Sequence, residues 1–411
     1  MCFSCSHWNG VGGILEEASQ SQLEDIFTSL LTKKPIFRNR EVMRHTYTPD
    51  NLPHREKQIK QLASILVAPL RGELSSNIFI FGKTGTGKTA VVKYVTNGLK
   101  KMGEEMERNI DVSYINCEVI DTQYRVLANL APEFGAEVPM TGWPTDQVYK
   151  LFFKAIDSQE RFVVIVLDEI DKLVKKGGDD ILYNLTRINN DLNNAKVSVI
   201  GISNDLRFTE YLDPRVRSSL SQEELVFPPY NALELQDIMW QRAKVGLEPG
   251  VLSDGVIPLC AALAAREHGD ARRALDLLRI AGEIAEREES PKITENHVRA
   301  ALDKIEKDRI VEVVRTLPTQ SKLVLQAILI LEQRGEGVIT TGEVYACYEN
   351  LCKKRSFEIL TQRRVSDLIS ELDMLGIINA RVISKGRYGR TKEIRMASSI
   401  DRIQQILNMG V

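Results

Sequence analysis

The 411 residues, 43% hydrophobic and 27% charged, have ordinary globular composition and room for two or three domains of usual size. A formal net charge of −2 excludes a protein that holds nucleic acid by bulk electrostatics, and leaves room only for a local basic face. The longest apolar runs, such as "FVVIVL" at 162–167, are too short to span a bilayer, no secretory leader opens the chain, and six scattered cysteines make no disulfide framework, so the expectation is a soluble cytoplasmic protein with no membrane partner.

Residues 1–35 read as a tail, where Cys2, Cys5 and His7 supply one CxxC without the second pair that a structural zinc site needs. From 36 to 229, five short apolar runs alternate with helix-like stretches: "NIFIF" at 77, "VSYIN" at 112, "FVVIVLD" at 162, "KVSVIGISN" at 196 and "ELVF" at 224. Runs bounded by turn residues in this way predict a buried parallel sheet with crossover helices.

The first run leads into Gly82, Lys83, Thr84, Gly85, Thr86, Gly87, Lys88 and Thr89, which fit GxxxxGK[ST] between a strand and a helix that continues through Ala90. Glycines there let backbone N–H groups turn inward around phosphates, and the helix N-terminus adds its positive end. In that pattern Lys88 reaches the β and γ phosphates and Thr89 ligates Mg²⁺. The third run ends in Asp168 and Glu169, where a strand of an open sheet points at its ligand crevice. Asp168 would hold the metal and Glu169 would orient the attacking water; taken alone, both are equally readable as helix caps. The fourth run ends in Ser203 and Asn204, polar groups placed to meet a γ phosphate.

After "VFPPY", four segments over 230–308 carry apolar residues at three- and four-residue spacing and predict a helical bundle. One of them opens with "GDARRALDLL", so that Arg272 is either a cation folded over the phosphates or a solvated helix-face residue. Over 309–411, three further helices followed by two β-like runs around "SKGRYGRTK" describe a winged helix. Between 351 and 396, eleven Lys or Arg stand against five acids, the local basic face that the whole-chain charge conceals. In "LTQRRVSDLISELDMLG" the stripe Val365, Leu368, Ile369, Leu372 and Leu375 leaves Gln362, Arg363 and Arg364 on the first turn, where a recognition helix meets the major groove. Lys385, Arg387, Tyr388, Arg390 and Lys392 belong to the wing and are placed for phosphates or a minor groove; the alternative is a solvated basic hairpin.

The order "YTPDNLPHRE" at 47–56, "GKTGTGKT", "VLDEID", "GISND", "LDPRVRSSL" at 212–220, "FPPY" and "GDARRALDLLR" resembles the AAA+ ATPases. More narrowly, it is similar to the archaeal initiators related to the eukaryotic origin recognition complex and the cell-division-cycle loader ATPases, over roughly 36–396. The resemblance implies an α/β P-loop AAA+ ATPase base with a helical lid domain, followed by a C-terminal winged-helix domain. It implies ATP or ADP with Mg²⁺ as cofactor and slow hydrolysis acting as a switch. Its implied partners are double-stranded origin DNA, paralogous initiator subunits and the replicative helicase; a helicase-loading ATPase or a winged-helix signalling ATPase are the alternatives.

It also implies residue roles. Leu52, His54, Arg55 and Glu56 line the adenine pocket, although Asp50 also reads as the cap of a helix there. Asn204 corresponds to the first nucleotide sensor and Arg272 to the second. "DTQYRVLANLAPEFGAEVP" is similar to the helical insertion that touches DNA in initiators, but carries little positive charge beyond Arg125. Many AAA+ relatives place an arginine after the "RVxS" run to reach a neighbour's site. Serine stands there in this chain, leaving Arg215 and Arg217 as the finger candidates, or a monomeric switch without one.

Overall fold

The computed structural model describes residues 35–44, 47–49, 51–220, 222–335, 338–384, 390–397 and 403; Cys2, Cys5, His7 and Asp50 lie outside the described residues. Two units, Met1–Val298 and Arg299–Val411, divide the chain, and one helix, Glu295–Thr316, runs through the boundary between them.

In the first unit, β1 (Ile78–Gly82), β2 (Ile110–Asn116), β3 (Arg161–Asp168), β4 (Ala195–Ser203) and β5 (Glu223–Phe227) form one parallel sheet in the order β2-β3-β4-β1-β5. The five strands are the five apolar runs of the sequence. β3 is buried at every residue because both faces of the sheet are covered, which is why it reads as a continuous apolar run and not as an alternation. Phe162, Val164 and Val166 pack with Ile78, Ile80 and Ile200 beneath the helices Glu56–Leu66 and Lys88–Glu105. Val163, Ile165 and Leu167 point the other way, into a layer with Leu127, Phe152, Leu173 and Leu182 from four further helices.

The sheet sets the site by its register. Asp168 pairs with Ile202, and Phe81 with Ser203, so β1, β3 and β4 end side by side. The phosphate loop, the pair Asp168 and Glu169, and Asn204 therefore leave the same edge of the sheet on three neighbouring strands, as ligand crevices of open α/β sheets do.

Past the two prolines at 228 and 229, Asn231 caps the helix Ala232–Gly246: its side chain accepts from the N–H groups of Leu233 and Glu234 at 2.9 Å, and Glu234 returns a bond to the N–H of Asn231. The helices Val256–Arg266 and Ala271–Arg287 pack on it as the lid. Residues 36–44 precede the base in sequence but pack on this lid. Arg38 N–H donates to the carbonyl of Gly246 at 2.9 Å, Arg242 holds the carbonyls of Val42 and Tyr47 at 3.1 and 3.0 Å, and Phe37 lies against Gly282, where a Cβ would come within 2.6 Å of its ring.

The second unit holds the helices Thr319–Arg334, Thr341–Arg355 and Gln362–Met374, and a three-stranded antiparallel sheet of β6 (Ile339–Thr340), β7 (Ile378–Ser384) and β8 (Arg390–Met396) in the order β6-β8-β7. Val365, Leu368, Ile369 and Leu372 are buried in its core. Leu375, expected in the same stripe, is exposed: the helix stops at Met374, and Ile377 before β7 and Ile378 at its start fill the core. Among the described residues no helix is long and apolar enough to cross a membrane.

Candidate functional site

A cavity of about 590 Å³ lies within the first unit, between the sheet edge and the lid, and its size suits a nucleotide. Gly85 and Gly87 turn the phosphate loop with φ of +71° and +88°, left-handed values that a side chain resists. Lys88 opens the following helix, so unpaired N–H groups of its first turn face the cavity. Lys88 is 5% exposed, and its ammonium donates to the carbonyls of Gly82 and Lys83 and to Asn204 Oδ1, each at 2.8 Å. Burial lowers its pKa to about 8, against the opposing charge of Asp168. A cation held among neutral oxygens at the mouth of a phosphate loop favours an incoming anion.

Thr89 Oγ1 donates to Asp168 Oδ2 at 2.7 Å, and the backbone N–H of Glu169 donates to Asp168 Oδ1 at 3.0 Å. A hydroxyl and a carboxylate in contact beside phosphate-binding amides make the oxygen donor set that Mg²⁺ takes in phosphoryl transfer, so the residues present fit MgATP or MgADP. Glu169 adopts a left-handed φ of +56°, uncommon for this residue type, and Asn204 Nδ2 lies 3.4 Å from its carboxylate. Burial, then the charges of Glu118 and Asp168, raise its pKa. Behind them, Ser203 Oγ donates to the buried Asp171 at 3.0 Å and accepts the N–H of Asp205 at 3.0 Å, fixing the turn that carries Asn204.

The lid closes the cavity from the far side. Asp270 caps the helix Ala271–Arg287, accepting the N–H groups of Arg272 and Arg273, and stands so close to the phosphate loop that a Cβ on Gly85 would lie 1.6 Å from its Oδ1. The N–H of Ala271 donates to the carbonyl of Gly85 at 3.2 Å. One turn of lid helix is thus docked on the loop, and Arg272 lines the same cavity as Lys88, Thr89, Ala90, Asp168, Glu169 and Asn204.

Not every expected residue is gathered there. Leu52 lines the cavity, with Thr48, Pro49 and Pro53 beside it. His54 turns to Asp237 of the lid at 3.0 Å, and Glu56 accepts the N–H of His54. Arg55, 2% exposed, is drawn inward: it donates to the carbonyls of Thr86 at 2.9 Å, Pro228 at 2.7 Å and His54 at 2.9 Å, and stacks on Tyr230 with 3.7 Å between guanidinium and ring centroid. The carbonyls of Gly82 and Lys83 hold the Lys88 ammonium from behind, Lys83 Nζ lies 3.4 Å from His268 Nδ1, and Thr84 is exposed and does not line the cavity. Arg215 is exposed and paired at two points with Asp213, and Arg217 is exposed on the same short helix, Pro214–Leu220; neither lines the cavity of its own chain.

Sequence reasoning missed Tyr114, whose hydroxyl donates to Asp168 Oδ2, and Val42, Tyr47, Ile238, Gln241 and Arg242, which line the cavity from the lid side. Only the aromatic in "VSYIN", facing a strand-end aspartate across the sheet, could have hinted at the first of these.

In the second unit Arg363 and Arg364 begin the helix Gln362–Met374 on its exposed face, behind the cap Thr361, and Arg364 lies 3.8 Å from Glu371. Lys392 instead turns inward, donating to Ser366 O at 3.3 Å and to Ser370 Oγ, so it ties the second strand of the wing to that helix. Lys385, Arg387 and Tyr388, and the side chain of Arg390, lie outside the described residues. Among the described residues no cluster of His, Cys, Asp and Glu is placed to hold a metal by itself.

Three family models match consecutive stretches: the AAA domain over residues 72–209, the Cdc6 AAA+ ATPase-type lid domain over 236–303, and the CDC6 C-terminal winged helix domain over 312–406. An ORC1-type DNA replication protein of Pyrococcus horikoshii is 62% identical over 396 residues, 95% of this chain and 94% of that one. ORC1-type DNA replication protein 1 of Methanosarcina mazei is 63% identical over 387 residues, 94% and 93% of the two chains. Among solved structures, the Aeropyrum pernix ORC1 protein in complex with DNA superposes with a TM-score of 0.78 at 48% identity, covering 92% of this chain and 98% of that one.

Proposed function

Because this chain belongs to the ORC1/Cdc6 family of AAA+ DNA replication initiators, we propose that it binds duplex origin DNA under the control of bound ATP and slow hydrolysis, and helps recruit the replicative helicase. The observation that carries the reading is the shared cavity: Lys88, Thr89 and Asp168 from the base and Arg272 from the lid line one space, while the lid helix rests on the phosphate loop through Ala271 and Gly85.

Bound MgATP supplies a γ phosphate whose charge is present before hydrolysis and gone after it. Lys88 and the loop amides hold the β and γ phosphates, and Thr89 with Asp168 holds the metal. Glu169 accepts a hydrogen bond from the attacking water, and Asn204, which touches both Lys88 and Glu169, aligns the two. Arg272 would meet the γ phosphate from the lid, and its side chain would clamp lid to base across the hinge at 228–230. Arg215 or Arg217 would complete the site of a paralogous initiator subunit alongside. The winged helix meets DNA through Arg363 and Arg364 and the basic wing. The complex of the Aeropyrum pernix relative with DNA supports DNA as a partner of this chain.

The test is the affinity for a fluorescent origin duplex with ATP or ADP bound. A coupling of roughly fivefold or more is expected in the wild type, as allosteric free energies of about 1–3 kcal/mol give. Lys88→Ala should bind DNA equally in both nucleotides. A wild-type chain whose DNA affinity ignores nucleotide defeats the reading.

A further inference from the structure

We infer that Tyr114 is a positioning residue for the metal-holding pair Thr89 and Asp168, its hydroxyl fixing the Asp168 carboxylate in the orientation that Mg²⁺ requires. The inference deepens the proposed function and rests on it. Three donors from three elements hold that carboxylate: the backbone N–H of Glu169 on Oδ1, and the hydroxyls of Thr89 and Tyr114 together on Oδ2. An ionised carboxylate offers about four lone-pair sites, so three are taken and the remaining one lies on Oδ1.

The donors are not equivalent. Thr89 would ligate the metal through an oxygen lone pair while its proton still donates to Asp168, so its placement would depend on the metal. The Glu169 N–H belongs to the strained turn that carries the neighbouring acid, with φ of +56°. Tyr114 donates to Oδ2 from β2, the strand beside Asp168, so its support would not depend on the metal.

The sheet makes the contact possible. In the β2 and β3 register Tyr114 pairs with Val166 and Asn116 with Asp168, so Tyr114 and Asp168 are diagonal neighbours on one face. An aromatic side chain on the adjacent parallel strand spans that diagonal to reach the carboxylate. Lys93, from the helix that follows the phosphate loop, places its ammonium 4.4 Å from the ring centroid, holding the ring between that helix and the sheet edge. Outer partners of this type commonly cost about 10–100-fold in metal affinity when removed.

Tyr114→Phe keeps the ring and its contact with Lys93 and deletes only the donor. The measurement is equilibrium binding of a fluorescent ATP analogue to the full chain, first in EDTA and then across a Mg²⁺ titration, with thermal melting of the nucleotide-free protein alongside. The expected result is an unchanged affinity in EDTA, a melting temperature within a few degrees of wild type, and a half-saturating Mg²⁺ concentration raised about tenfold. An unchanged Mg²⁺ midpoint overturns the role of Tyr114 alone. Equal weakening in EDTA and in Mg²⁺ overturns it as well, because that marks general loosening of the site. A wild-type chain that shows no Mg²⁺ dependence removes the nucleotide reading itself, and this inference with it.

Discussion

At position 88 a lysine is 5% exposed, has three oxygen acceptors at 2.8 Å and sits on the first turn of a helix in the core; at position 364 an arginine side chain is 55% exposed and lies 3.8 Å from Glu371. The nucleotide cavity holds its charged groups in place before any ligand arrives, through contacts that reach across the sheet edge and the lid. The winged helix presents Arg363 and Arg364 on long, exposed side chains. Preorganised charge in a partly dry cavity is strong and geometrically selective, whereas exposed charge is weakened by salt and contributes through number. The first arrangement suits a sensor that must tell one phosphate more or less; the second suits a grip on a polymer whose charge repeats along its length.

The contrast is broken most severely by removing the space that preorganisation depends on. Gly85→Ala puts a methyl group where Asp270 Oδ1 stands, at a backbone φ of +71°. The left-handed conformation costs about 1–2 kcal/mol for a residue with a Cβ. Displacing Asp270 removes a helix cap of about 1 kcal/mol more. Differential scanning calorimetry should show the nucleotide-binding unit destabilised by roughly 2–3 kcal/mol, and ATP should no longer change the protection of amides 271–275 in hydrogen exchange. Retained nucleotide-dependent protection would show that lid and loop communicate by another route.

How much of this was legible in the sequence follows the same division. "GKTGTGKT" could be read because the loop, the lysine and the metal-side threonine are contiguous, so the local pattern is the site. The central strands β1, β3 and β4 could be read because burial on both faces leaves nearly uninterrupted apolar runs such as "FVVIVL". The position of Arg55 was not legible: its partners are main-chain carbonyls 31 and 173 residues away, and a carbonyl has no identity in a sequence. The same holds for Tyr114, whose acceptor is 54 residues distant, and for residues 36–44, which pack on a lid that begins almost two hundred residues later. Lys392 looked like one more cation of the wing because charge is visible in a sequence, while the Ser366 and Ser370 oxygens that turn it inward are not.

A smaller effect sharpens the comparison by titration. Burial lowers the Lys88 pKa to about 8, so in the nucleotide-free protein this group loses its proton as pH rises through 8. ATP affinity measured by calorimetric titration should fall about fivefold between pH 8 and pH 9, the change in protonated fraction across one unit above the pKa. Lys88→Ala should flatten that profile. The sign for folding is opposite: the unfolded chain carries the extra proton between about 8 and the ordinary lysine value of 10.5, so this group favours the folded state increasingly as pH rises through that window.

The smallest expected effect separates two cations inside the winged helix. Arg364→Ala removes an exposed charge at the start of the helix Gln362–Met374 and leaves the core, built on Val365, Leu368, Ile369 and Leu372, untouched. Duplex affinity should weaken by a few-fold, the slope of log affinity against log salt should become shallower by about one, and the melting temperature should stay within a degree or two. Lys392→Ala deletes the strut from the second wing strand to Ser366 and Ser370. Its cost should appear as about 1 kcal/mol of stability, the worth of hydrogen bonds that tie a strand to a helix, with the salt slope unchanged. If Lys392→Ala flattened the salt slope as Arg364→Ala does, its ammonium would be leaving the helix to meet phosphate when DNA binds. The winged helix would then store part of its grip in an internal hydrogen bond, as the cavity stores its own in Lys88, and the two regions would differ in degree and not in kind.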